Sequence, residues 1–77
     1  MQIADSLDLK GVSCPLNFVK VKLALEFLED GEVLEVILDP GEPAINDPRS
    51  LKQEGYKVLE LKPENNYYKL YVQKVEP

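Results

Sequence analysis

A chain of 77 residues with 44% hydrophobic and 30% charged side chains can build one hydrophobic core and no more, because domains near this size bury only about 60% of their unfolded surface. Fourteen acidic against nine basic residues, a net charge of −5, argue against direct binding to nucleic acid or to an anionic membrane, and no run of ~18 apolar residues offers a membrane span. Histidine is absent and cysteine occurs once, which excludes a Cys/His zinc site, an internal disulfide and every mechanism that needs a histidine base within the chain.

No internal repeat, linker or low-complexity stretch divides residues 1–77, so a single domain is expected. The first residues lack a basic region followed by an apolar stretch, and a cytoplasmic location is expected.

Ile3 to Leu9 reads as a first strand. Gly11 permits a tight turn, and Pro15 is the residue type favoured at the first position of a helix. Cys14 then falls at the expected N-cap, beside backbone N–H groups without intrahelical partners and at the positive end of the helix dipole; both favour the thiolate, the nucleophilic form. A free cysteine is also a common small buried hydrophobe. The loop character of Lys10 to Ser13 and the strand-to-helix position bring the functional reading level with that structural one.

From Pro15 to Glu29 the apolar residues are nearly continuous, and Lys22, Glu26 and Glu29 share one narrow polar face, so a helix buried on most of its circumference is expected. Asn17, at the third helical position, can reach back to the N–H of the cap residue in a variant of the capping box, or be an exposed polar residue without a special role. Lys20 and Lys22 lie within two turns of the thiol, where they can favour the thiolate or an acidic partner, or lay their stems on apolar surface.

Asp30-Gly31 ends this helix, and Glu32 to Leu38, almost wholly apolar, reads as an interior strand. Residues 39 to 47 carry two prolines, a glycine and several acids and read as a loop. If the first two strands are parallel, this loop emerges beside the thiol, giving a rim with Asp39, Glu42 and Asp47. Asn46 or Asp47 can cap a second helix with Pro48 just inside it and Gly55 after it. Arg49, the only arginine, can steer an anionic group or make a surface ion pair. Tyr56–Leu61 and Tyr67–Val75 read as two strands joined by a hairpin connection. Tyr67 and Tyr71 share the face opposite Tyr68, Leu70 and Val72, either as a docking surface or as ordinary half-exposed strand residues. The order β-α-β-α-β-β predicts an α/β (α+β) two-layer sandwich, a four-stranded mixed sheet with two helices on one face.

The run Leu7-Asp8-Leu9-Lys10-Gly11-Val12-Ser13-Cys14-Pro15 resembles the signature of the TusA/SirA-like family of small sulfur-carrier proteins, Leu-Asp-x-x-Gly-x-x-Cys-Pro-x-Pro. The similarity covers nearly the whole chain, including Gly31-Glu32-x-Leu34-Glu35-Val36 and the Tyr-rich last strand. The resemblance implies that Cys14 carries sulfur as a persulfide, received from a donor such as a cysteine desulfurase and passed to an acceptor sulfur-relay protein. Gly11, Pro15 and Asn17 would support that site, and Lys20, Glu42 and Arg49 are candidate partner contacts. Asn17 stands where the family's second proline is usually found, which leaves the pathway open. Such a carrier is of sulfurtransferase type, acts with partner enzymes rather than as a self-sufficient catalyst, needs no cofactor or metal, and is expected to be a monomer. The alternative is a non-catalytic interaction or regulatory module in which Cys14 is structural. A one-cysteine peroxidase is disfavoured, since its only guanidinium, Arg49, lies far along the chain.

Overall fold

The computed structural model describes residues 2–13 and 15–75. Its elements are β1 (Ile3–Asp8), α1 (Leu16–Glu26), β2 (Val33–Leu38), α2 (Glu42–Gln53), β3 (Lys57–Pro63) and β4 (Tyr68–Gln73). They form one four-stranded sheet in the order β1-β2-β4-β3. β1 runs parallel to β2, while β4 is antiparallel to both β2 and β3. This is the expected mixed two-layer sandwich.

The interior place of β2 follows from its sequence. Leu34, Val36 and Leu38 point to one side, and all three are 0% exposed. On β4, Val72 pairs with Leu34 and Leu70 with Val36, which joins the apolar faces of the two central strands. Val21 and Leu25 from α1 and Leu51 from α2 close over them, completing the core. Both helices therefore cover the same face of the sheet.

The outer strands are poor templates for further pairing. β1 and β3 each carry a register shift, at Ile3/Asp5 and at Val58/Glu60. Asp5 and Asp8 mark one edge and Lys57, Glu60, Lys62 and Pro63 the other. Bulges, charges and proline are the usual means of blunting a sheet edge.

Two helix expectations need correction. α1 stops at Glu26 rather than Glu29, because the N–H groups of Phe27 and Leu28 bond to the carbonyls of Ala24 and Leu25, three residues back, tightening the last turn. Nor is α1 buried on most of its circumference: Asn17, Val21 and Leu25 are buried, whereas Leu16, Val19, Leu23 and Phe27 face outward. A two-layer fold of this size has no third layer to cover them.

α2 begins at Glu42, earlier than expected, with Gly41 as its N-cap and Pro43 in the first turn. Gly41 has φ +95°, a conformation that side-chain-bearing residues rarely adopt. Pro48 consequently lies inside the helix and forgoes one i→i−4 bond. No helix among the described residues is long and apolar enough to cross a membrane.

Candidate functional site

The β1–α1 loop is fixed by its own sequence and by its parallel neighbour. Beyond β1, Leu9 N–H donates to Ile37 C=O at 2.9 Å, extending the ladder, and the Leu9 side chain is buried. Val12 N–H then donates to Leu9 C=O at 3.1 Å, closing a four-residue turn whose third residue, Gly11, has φ +83°. That position of a type II turn requires positive φ.

Two carboxylates brace the turn. Asp8 Oδ1 accepts the Lys10 N–H at 3.0 Å, and Asp39 Oδ2 accepts the Gly11 N–H at 2.7 Å. The second bond shows that the loop after β2 emerges beside the β1–α1 loop, as parallel pairing predicts. Lys10 Nζ also lies 5.1 Å from the centre of the Tyr67 ring, linking the turn to the start of β4.

Gly11→Ala is expected to destabilise the protein by about 1 kcal/mol, the cost of a left-handed conformation for an L side chain. A Cβ at Gly11 would meet nothing within 4 Å, so the loss is one of backbone conformation rather than collision. A lower urea midpoint, with Gly11→Asn affected less than Gly11→Ala, would bear this out; an unchanged midpoint would not.

Cys14 lies outside the described residues. On either side of it, Asn17 N–H donates to Ser13 C=O and Val19 N–H to Pro15 C=O, both at 3.1 Å. Pro15, with φ −91° and ψ 5°, is itself the N-cap of α1, one residue later than expected; Leu16 takes the first helical position. The proline's carbonyl opens the helix, and its missing N–H costs nothing there.

The capping bond expected from Asn17 to the N–H of Cys14 lies outside the described residues. Asn17 is not an exposed polar residue: its side chain is 0% exposed. Its Oδ1 accepts the Phe18 N–H at 2.7 Å, while Nδ2 has no partner among the described residues. Asp47, expected as a cap or a rim acid, is also buried, at 1% exposure, with Oδ2 likewise unpartnered. The early start of α2 places Asp47 in mid-helix, on the face shared by Ala44 and Leu51. Burial pushes its carboxyl up to about 6.

The candidate partner contacts are dispersed. Lys20 is exposed on α1 and Glu42 is exposed at the start of α2, directly after the Asp39 loop. Arg49 is exposed two turns further along α2, about 10 Å from Glu42 along the axis, and belongs to neither ion pair found among the described residues. Lys22 pairs with Glu54 at 2.8 Å, joining α1 to α2, and that bond holds its ammonium above its ordinary range.

On the uncovered face of the sheet, Glu35 accepts hydrogen bonds from Ser6 Oγ at 3.0 Å and from Tyr71 OH at 2.9 Å. The bond from Tyr71 raises that phenol above its usual range. Tyr67 and Tyr71 thus have separate partners, Lys10 and Glu35. Sequence reasoning missed Asp8 as a brace of the loop; the available signal was an Asp placed to bond two residues onward at a strand end. A cavity of about 420 Å³ lined by Ile3, Val33, Leu59 and Gln73 sits at the opposite end of the strands and is no part of this site.

The family model for sulfurtransferase TusA matches residues 5–74. A candidate sulfur carrier protein of Archaeoglobus fulgidus is 49% identical over 58 residues, 74% of this chain and 65% of the relative, so the match spans slightly less than two thirds of that protein. One from Halobacterium salinarum is 36% identical over 75 residues, 96% of this chain and 93% of its own. Among solved structures, the SirA-like protein from Desulfitobacterium hafniense superposes with a TM-score of 0.77 at 26% identity, covering 94% of this chain and 99% of its own. With a match that takes in the braced loop, both helices and the four strands, the chain belongs to the TusA sulfurtransferase family.

Proposed function

We propose that the protein is a sulfur carrier that takes up sulfur as a persulfide on Cys14, acting as a monomer in the cytoplasm between a donor and an acceptor protein. The observation that carries this reading is the braced turn from Asp8 to Val12 leading into the start of α1, on a chain of the TusA family. By sequence Cys14 is the residue before the α1 cap, and Pro15 and Leu16, which follow it, are exposed. The positive end of a helix dipole favours a nearby anion by about 0.3–1 kcal/mol, a modest bias toward thiolate.

In the transfer step, the Cys14 thiolate attacks the outer sulfur of a cysteine persulfide on the donor. A new S–S bond forms on Cys14 as the donor's S–S bond breaks, and that bond's electron pair leaves on the donor cysteine as thiolate. The sulfur keeps its oxidation level, so no oxidant or reductant is consumed. Release repeats the step with an acceptor nucleophile and regenerates the Cys14 thiolate. Extracting sulfur from free cysteine falls to the donor: a cysteine desulfurase does it with its own cofactor.

Intact-mass measurement after incubation with a cysteine desulfurase and cysteine tests the proposal. The expected result is a gain of one sulfur atom, removed by reductant and absent in Cys14→Ser. A gain retained in Cys14→Ser would place the sulfur elsewhere. No gain from desulfurases or from inorganic polysulfide would favour an interaction module with a structural Cys14.

A further inference from the structure

α1 turns a row of large apolar side chains away from the core. Leu16, Val19, Leu23 and Phe27 are 52%, 44%, 51% and 88% exposed, and their spacing of three, four and four residues aligns them along one side of the helix. The buried line of Asn17, Val21 and Leu25 lies on the other side. Lys20 and Glu26, both exposed, flank the outward row. Isolated exposed leucines are ordinary on protein surfaces; four apolar side chains in line contribute nothing to the core and form a contiguous patch of the kind that marks an interaction site.

We propose that this row is a docking ridge for the protein that delivers sulfur: a persulfide-bearing donor whose reactive cysteine stands at the rim of an apolar groove that receives α1. The inference rests on the carrier reading above. A donor sulfur in bonding contact with Cys14 brings its protein over the neighbouring residues of this chain. Leu16, the first member of the row, is two residues away in sequence and already exposed, so the ridge continues the contact that transfer requires.

The size of the ridge also selects its occupant. An 11-residue helix is about 16 Å long, and one face of it offers a few hundred Å², short of the ~800 Å² per partner of a standard stable interface. A permanent second copy of this chain is therefore not the occupant. A carrier must leave its donor to reach its acceptor, and a helix laid in a groove by a few anchors suits such a short-lived complex. Lys20 and Glu26 on the two flanks of the row further favour a groove with an acidic residue at one edge and a basic residue at the other.

The test compares the wild-type chain with Leu23→Gln/Phe27→Gln, with Phe27→Gln alone, and with Leu59→Gln, which changes an exposed leucine on β3. Each is loaded in two ways: from inorganic polysulfide, which needs no docking, and from a panel of persulfide-bearing cysteine desulfurases and rhodanese. Polysulfide is expected to load all four at equal rates, and matching circular dichroism spectra and urea midpoints report that the variants are folded. The wild type and Leu59→Gln are expected to take sulfur from a panel donor with kcat/KM at least tenfold above the double variant, with Phe27→Gln in between. Equal donor rates for all four overturn the ridge, as does a wild-type chain that polysulfide loads and no panel donor does. Failure of polysulfide to load the wild type overturns the carrier reading instead.

Discussion

Leu34→Ala is expected to lower the stability of the protein by about 3 kcal/mol, within the 2–5 kcal/mol range for truncating a buried leucine. Leu34 is 0% exposed on the inward face of the central strand, opposite Val72 of β4. Its side chain fills space between the sheet and the buried line of α1. The core cluster it belongs to draws side chains from α1, α2, β2 and β4, elements pinned by hydrogen-bonded pairing and helix packing, so collapse into the vacated space is limited. The lost transfer free energy is then joined by the cost of a residual cavity.

For a small domain with a total stability of roughly 4–12 kcal/mol, this is a large fraction. It corresponds to a fall in melting temperature of about 12–24 °C. Leu59→Ala supplies the contrast. Leu59 is 38% exposed at a bulged edge, and its truncation should change stability by less than about 0.5 kcal/mol. Chemical denaturation of the two variants side by side tests the assignment of the core; comparable losses would show that burial on β2 does not dominate the fold.

The contrast between these leucines also marks what the sequence makes legible. Val33-Leu34-Glu35-Val36-Ile37-Leu38 reads as an interior strand because so apolar a run is ill suited to a sheet edge, and β2 is central as expected. β1 pairs parallel with β2, the condition on which the expected rim depended, and this brings the Asp39 loop to the turn at Gly11. A continuous apolar run in a helix is less informative. The residues from Leu16 to Leu28 fit equally a helix buried all round and one that buries a single line and displays another. The number of layers decides between them, and that is a property of the whole chain.

α2 was misplaced for a different reason. Gly41-Glu42-Pro43 and Asn46-Asp47-Pro48 both carry a residue tolerated at a cap followed by an early proline. The protein uses the first signal and runs through the second. That choice converts Asp47 from an exposed cap into a buried carboxyl. Asn17 escaped recognition as a core residue because buried polar side chains leave no hydrophobic period to read. Asp39, by contrast, holds the turn through a bond to the Gly11 N–H, a role visible only once the two loops are known to be adjacent.

Asp47 supplies the second large effect, expressed through pH. Its carboxyl is 1% exposed, and Oδ2 has no hydrogen-bond partner among the described residues. Burial raises it from 3.8 to about 6, with no nearby charge contributing to the shift. At 1.36 kcal/mol per unit, the folded state binds this proton more strongly than the unfolded state by about 3 kcal/mol. Because the folded value is the higher one, the stabilisation is fully present below pH 3.8, declines as pH rises, and is lost above about 6.

At neutral pH the fold therefore holds a buried carboxylate whose Oδ2 has no hydrogen-bond partner among the described residues, on α2, which packs against α1. Asp47→Asn keeps the shape of the side chain and removes the titration. The stability of Asp47→Asn minus that of the wild type is expected to rise by about 2 kcal/mol between pH 4 and pH 6.5 and to level off above that. Taking the difference cancels the other carboxylates, which titrate alike in both proteins. Any fixed cost of the added amide shifts the whole curve without changing its form. Urea unfolding at half-unit pH intervals gives the curve directly. A difference that stays flat from pH 4 to pH 7.5 would mean that Asp47 titrates as an ordinary exposed carboxyl, and that the packing of α2 against α1 opens enough to hydrate it.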